Sequence, residues 1–159
     1  MKGIFVADNG CVKYAIAIVK GGKVIETRSR KMLSACVGER VAIIRTREHH
    51  KPCVVGYAKI VRESFCRAED FDKFFDLHLV QPGSKYACHG KGKWFYWFAK
   101  AEECRPYELP GNAVRHGRSW CEWDNILDVL CKAEAEENAM TDEDWQHLHD
   151  GEVYEKELF

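Results

Sequence analysis

A chain of 159 residues, 46% apolar and 31% charged, has the size and balance of one globular domain able to bury a core. No segment approaches the roughly 18 consecutive apolar residues of a membrane helix, and the first residues lack the basic and apolar regions of a secretory signal, so a cytoplasmic protein without a membrane partner is expected. The net charge of −1 hides a division: residues 1–121 hold 22 Lys and Arg against 12 Asp and Glu, and residues 122–159 hold 2 against 13. A basic body favours phosphate backbones through counterion release. Mutual neutralisation of the two parts explains the same asymmetry.

Eight cysteines stand singly, with no C-x-x-C pair. In a chain long enough for a core they read as buried, reduced thiols rather than disulfides. His49, His50 and Cys53, Cys88 with His89, and His147 with His149 lack the paired spacing of a structural zinc site. No metal and no cofactor is expected.

In chain order, Ile4 to Ala7 reads as a first strand, ended by the turn cluster Asp8-Asn9-Gly10. Residues 12–19 fit a strand hairpinned through Gly21-Gly22, or a short helix. Strands follow near 23–28, 41–47 and 53–62. Arg67 to Leu79 places Phe71, Phe74, Phe75 and His78 at helical spacing behind an acidic start, with the phenylalanines as core. Residues 81–93, with Pro82-Gly83-Ser84 and Lys85, Lys91 and Lys93, read as a loop. A long strand over 93–104 carries Trp94 to Phe98, alternating between its faces, where an exposed ring would stack on a base. From Glu122 an amphipathic helix is predicted, with Trp123, Ile126, Leu127 and Leu130 on one face, and Thr141 caps a further acidic segment.

The densest chemistry lies in Gly21-Gly22-Lys23-Val24-Ile25-Glu26-Thr27-Arg28-Ser29-Arg30. The glycines permit a tight turn, and the residues after them alternate as a strand. On that strand Glu26 and Arg28 share one face while Lys23 and Thr27 share the other. Lys23 sits beside the turn, and its long stem reaches round to Glu26. Lys23, Glu26 and Arg28 are therefore expected to line a cleft mouth. Arg28 would hold a phosphate or base edge bidentately, Lys23 would stabilise charge, and Glu26 would fix Lys23 or act as a general base. Arg30 and Lys31 would extend the basic rim. The plain alternative is a hairpin turn followed by a solvated strand.

The pattern G-x-K-x-x-E-x-R at Gly21, Lys23, Glu26 and Arg28 resembles the signature of the ASCH domain, in the PUA-like superfamily of small RNA-associated β-barrels. The apolar segment Val12 to Val19 before it, Gly38-Glu39-Arg40 with its apolar strand, Val54 to Val61, and the closing Pro110-Gly111 and Gly117-Arg118-Ser119-Trp120 resemble that family too. The likeness spans residues 1–123. It implies an α+β fold: a small PUA-like β-barrel with flanking helices, residues 12–19 forming a helix across one end. Residues 124–159 would be an acidic helical extension packed on it. Trp120 would close the barrel and, secondarily, wall the cleft.

Some members of that family remove an acetyl group from acetylated cytidine, with a Lys at the position of Lys23 and a Thr where this chain has Glu26. Others resemble RNA-binding or RNA-cleaving proteins; cleavage would draw on Lys23, His116 and Arg118. The reading is thus an RNA- or nucleotide-binding protein whose cleft uses Lys23, Glu26, Arg28, Arg30 and Trp120. Lys23 and Glu26 would be catalytic if it is an enzyme. An amidohydrolase or ribonuclease, and a protein-interaction module built on the acidic tail, stay open as alternatives.

Overall fold

The computed structural model describes residues 1–8 and 12–124. In chain order it contains β1 (Lys2–Ala7), α1 (Tyr14–Val19), β2 (Ile25–Arg28), β3 (Arg40–Thr46), β4 (Cys53–Arg67), α2 (Phe75–His78), β5 (Gly92–Glu108), β6 (Val114–His116) and β7 (Trp120–Glu122). The strands form one mixed seven-stranded sheet in the order β2-β5-β4-β3-β1-β7-β6. β1 runs parallel to β3, from Gly3↔Ala42 to Ala7↔Thr46, and antiparallel to β7. β4 and β5 form the longest pair, from Cys53↔Glu108 to Arg67↔Gly92, with register shifts that let the ribbon bend.

β1 and β3 are apolar on both faces because both faces are covered. One face carries the larger core, in which Ile4, Ile43, Val55 and Phe95 pack with Ile16 and Ile18 of α1. The other buries Ile44, Tyr57, Tyr107 and Trp123. Gly56 lets α1 lie close on β4: a Cβ there would strike the Glu102 carbonyl and lie 2.6 Å from Val19 Cγ1. No helix among the described residues is long and apolar enough to cross a membrane.

The segment 12–19 supplies the short helix that the resemblance implied. Three expectations change. The barrel is not closed, because β2 and β6 end the sheet rather than pairing with each other. β2 is only four residues long, and β1 makes its last bond on the β7 side from the Phe5 amide to the Ser119 carbonyl at 3.0 Å, so beyond it the two edges face each other across a gap. The single helix over Arg67 to Leu79 is instead a 3-10 stretch, Ala68–Phe74, followed by the one-turn α2. Leu79, in the left-handed conformation at φ 61°, stops it. Glu122 does not begin a helix but closes β7, and the Trp123 amide donates to the Met1 carbonyl at 2.9 Å. The remainder of the acidic extension lies outside the described residues.

Candidate functional site

The gap between β1 and β2 is a cavity of about 290 Å³. Phe5, Val6 and Ala7 of β1 form one side, and Glu26, Thr27 and Arg28 of β2 the other. Tyr14 of α1 and Tyr86 of the 79–91 segment add aromatic walls, their rings edge to face at 5.8 Å. Lys23, Lys93 and Arg118 complete a lining in which four cations oppose one carboxylate.

Lys23 is buried, 1% exposed, although it is a lysine. Its Nζ donates to the carbonyls of Ile25, at 2.7 Å, and His78, at 2.5 Å. It stands 3.7 Å from Glu26 Oε1 and 4.9 Å from the centre of the Tyr14 ring. Two carbonyl acceptors and the nearby Glu26 carboxylate favour the charged form. Burial works against it and, outweighing Glu26, brings the Lys23 pKa down to about 8.

Glu26 holds the cluster together. Its Oε1 accepts the Thr27 amide at 3.1 Å, and its Oε2 takes Arg28 Nη2 at 3.0 Å. Burial alone would raise this carboxyl, but Arg28 and Lys23 outweigh it and hold Glu26 below the usual carboxylate range. Arg28 Nη2 also donates to the Phe5 carbonyl at 2.5 Å. The guanidinium therefore crosses the gap from β2 to β1 where no strand does. Lys93, 6% exposed, donates to the Tyr86 carbonyl and so pins the 79–91 segment beside the cavity; burial lowers its pKa.

His78, beneath Lys23, plays a structural part. Its Nδ1 accepts the Val80 amide at 2.9 Å, so the ring proton sits on Nε2 and goes to the Phe71 carbonyl at 2.8 Å. Burial keeps the ring neutral, and it stacks on Phe71 with ring centres 4.2 Å apart.

Of the residues singled out in the sequence, Lys23, Glu26 and Arg28 come together in the cavity, as does Arg118. Arg30 is exposed and outside its lining. Trp120 is also outside the lining, half-buried under His116, with the rings stacked 3.9 Å apart. His116 bonds Glu122 at 2.9 Å on that surface. Thr27, assigned to the opposite strand face, nevertheless borders the cavity, because at a sheet margin both faces reach the gap. Tyr14, Tyr86 and Lys93 were missed as site residues. Lys93 left one signal, a cation directly heading the aromatic run Trp94 to Phe98.

Neither protein-family models nor curated protein sequences match this chain. Solved structures do. The chain is similar to the ASCH protein of Zymomonas mobilis at a TM-score of 0.64 and 19% identity, over 81% of this chain and 92% of that one. Two single-residue variants of that protein each match at a TM-score of 0.63, with 18% and 19% identity, over 80% and 81% of this chain and 95% and 94% of theirs. An open seven-stranded mixed sheet with few helices and this likeness together define an ASCH-type fold.

Proposed function

We propose that this chain is an ASCH-type RNA- or nucleotide-binding protein of the cytoplasm, and that its ligand occupies the gap between β1 and β2. The supporting observation is the lining: four cations against one carboxylate, between aromatic walls. Such a lining attracts an anion and offers ring faces to a base. In this reading Arg28 and Lys23 face the phosphate or base edge, with Glu26 fixing both. Arg30 extends the basic rim and Trp120 bounds the approach. The likeness to known ASCH proteins supports the fold only, so the ligand is argued from the lining.

The test is an anisotropy titration of labelled oligouridine against wild type and Lys23→Ala at several salt concentrations, with the RNA run on a gel afterwards. Expected is salt-dependent binding that Lys23→Ala weakens about tenfold or more, at a salt slope lower by about one. Equal binding by both proteins would remove Lys23 from the site.

A second reading, a hydrolase of acylated nucleosides, is favoured by one observation. Thr27 borders the same cavity as Lys23, although Glu26 fills the position where such enzymes carry threonine. Thr27 Oγ1 would attack the acyl carbon as its proton passes to a neutral Lys23. The C–N bond then breaks, the nucleoside amine leaving with that proton, and water cleaves the acyl-threonine ester to give the free acid and the threonine hydroxyl. The two carbonyls that hold Lys23 as an ammonium weigh against this. Turnover of acetylated cytidine that Thr27→Ala abolishes would decide for it.

A further inference from the structure

Side chains satisfy only part of the backbone that faces the gap. On β1, Thr46 Oγ1 donates to the Val6 carbonyl at 3.3 Å, and the Asp8 amide donates to the Thr46 carbonyl at 2.9 Å. The even-numbered residues therefore bond toward β3. The Phe5 amide turns the other way, to the Ser119 carbonyl at 3.0 Å. Successive strand residues aim their backbone groups to opposite sides, which sends both the amide and the carbonyl of Ala7 into the gap. Just before β2, the Val24 carbonyl accepts the Phe98 amide of β5 at 2.8 Å. The same alternation then turns the Thr27 backbone to the gap from the other side.

Arg28 takes the Phe5 carbonyl, Lys23 that of Ile25, and Glu26 the Thr27 amide. Among the described residues no hydrogen bond reaches the Ala7 amide, the Ala7 carbonyl or the Thr27 carbonyl. Ala7 is half-buried and lines the cavity, so a donor and an acceptor of one residue stand side by side on its wall. The Watson–Crick edge of every nucleobase complements that pair, because it carries an acceptor next to a donor. A peptide strand would complement it too. Arg28, however, bridges the gap at Phe5, two residues or about 7 Å along β1, and stops a strand from running on. A base is short and flat, Tyr14 and Tyr86 offer it rings, and the surrounding cations suit its phosphate.

We propose that the Ala7 backbone reads the Watson–Crick edge of an unpaired base held in the cavity. The base accepts a hydrogen bond from the Ala7 amide and donates one to the Ala7 carbonyl, with its phosphate toward Arg28. This rests on the nucleotide-binding reading of the cavity and deepens it. The ligand class becomes single-stranded RNA: all four bases qualify, and a base already engaged in a pair is refused.

The experiment compares, by anisotropy, labelled oligouridine with the same oligomer built from N3-methyluridine, whose charge and ring are kept while the edge donor is replaced. The proteins are wild type, Ala7→Pro and Lys23→Ala, with thermal melts to confirm folding; proline is tolerated at a strand edge whose amide bonds no neighbouring strand. Wild type should bind the methylated oligomer about five- to hundredfold more weakly than oligouridine. Ala7→Pro puts a ring carbon where the amide proton was and keeps the base edge off, so it should weaken oligouridine and bind the two oligomers alike. Lys23→Ala should weaken both oligomers and preserve the ratio between them. Equal binding of the two oligomers by wild type, with both weakened in Lys23→Ala, would overturn the edge reading and leave the cavity reading standing. A methylation penalty undiminished in folded Ala7→Pro would remove Ala7 as the reader and overturn the proposal. No binding of oligouridine by wild type would overturn both readings.

Discussion

The middle of the sheet and the gap between β1 and β2 solve the same problem in opposite ways. In the middle, Ile4 on β1 faces Ile43 on β3, both fully buried, and each backbone finds its partner in the next strand. At the gap the ladder is missing, and side-chain cations take its place. Lys23 serves the Ile25 and His78 carbonyls, Arg28 that of Phe5, and Lys93 that of Tyr86. Buried carbonyls left without donors are costly, so these charges are anchored by the fold before any ligand arrives. The site's cations are therefore part of the architecture, and substitutions there act on stability and binding together.

The largest expected effect falls in the middle. Ile43→Ala should cost about 2–5 kcal/mol and lower Tm sharply, while the protein that remains folded binds RNA as wild type does. Next comes Asp8, 3% exposed beyond β1, whose Oδ1 accepts the Ala15 amide at 3.4 Å. Burial raises its carboxyl to about 6, against weaker opposition from Arg45. The folded state thus keeps a proton that the unfolded chain has lost, and this group's contribution to stability falls as pH climbs from about 4 to about 6. Asp8→Asn should accordingly stabilise by about 2–3 kcal/mol above pH 6 and by little below pH 4, measured by denaturant titration at both.

Lys23→Ala sharpens the contrast. It should cost about 1–3 kcal/mol through the carbonyls it strands, and bind RNA about tenfold or more weakly. A loss of stability with binding intact would make the cluster purely architectural. Acidity offers a gentler probe. With its folded pKa near 8, Lys23 is charged at neutrality and sheds its proton as pH rises through that value. Affinity for an anionic ligand should fall across the same window in wild type and stay flat in Lys23→Ala. The smallest effect is expected from removing residues 124–159. If the acidic extension screens the basic body, truncation should raise RNA affinity a few-fold at low salt and leave it unchanged at high salt.

The local parts of this molecule were legible in its sequence. Alternation and apolar runs located β1, β3, β4 and β5, and the Gly21-to-Arg28 motif picked out the three residues that meet in the gap. The failures share a physical cause. Lys93 and Tyr86 reach the cavity only because the β4–β5 pair brings them back from far along the chain, and no local pattern encodes that return. Thr27 was assigned by strict strand alternation, which loses its meaning at an edge. The segment after Arg67 has helical spacing, but tight 3-10 geometry over Ala68–Phe74 suits its packing of Phe71 and Phe74 against Phe95.

The place of β1 has a kinetic consequence. It precedes the other strands of this sheet in chain order, yet it pairs on one side with β3 and on the other with β7, where Lys2 meets Glu122. During synthesis its apolar edge must wait for more than a hundred residues to emerge before both flanks are covered. Contacts this distant along the chain slow folding, and an uncovered strand edge invites association with other chains. Of all the elements, this short apolar strand should be the one that chaperones meet most often.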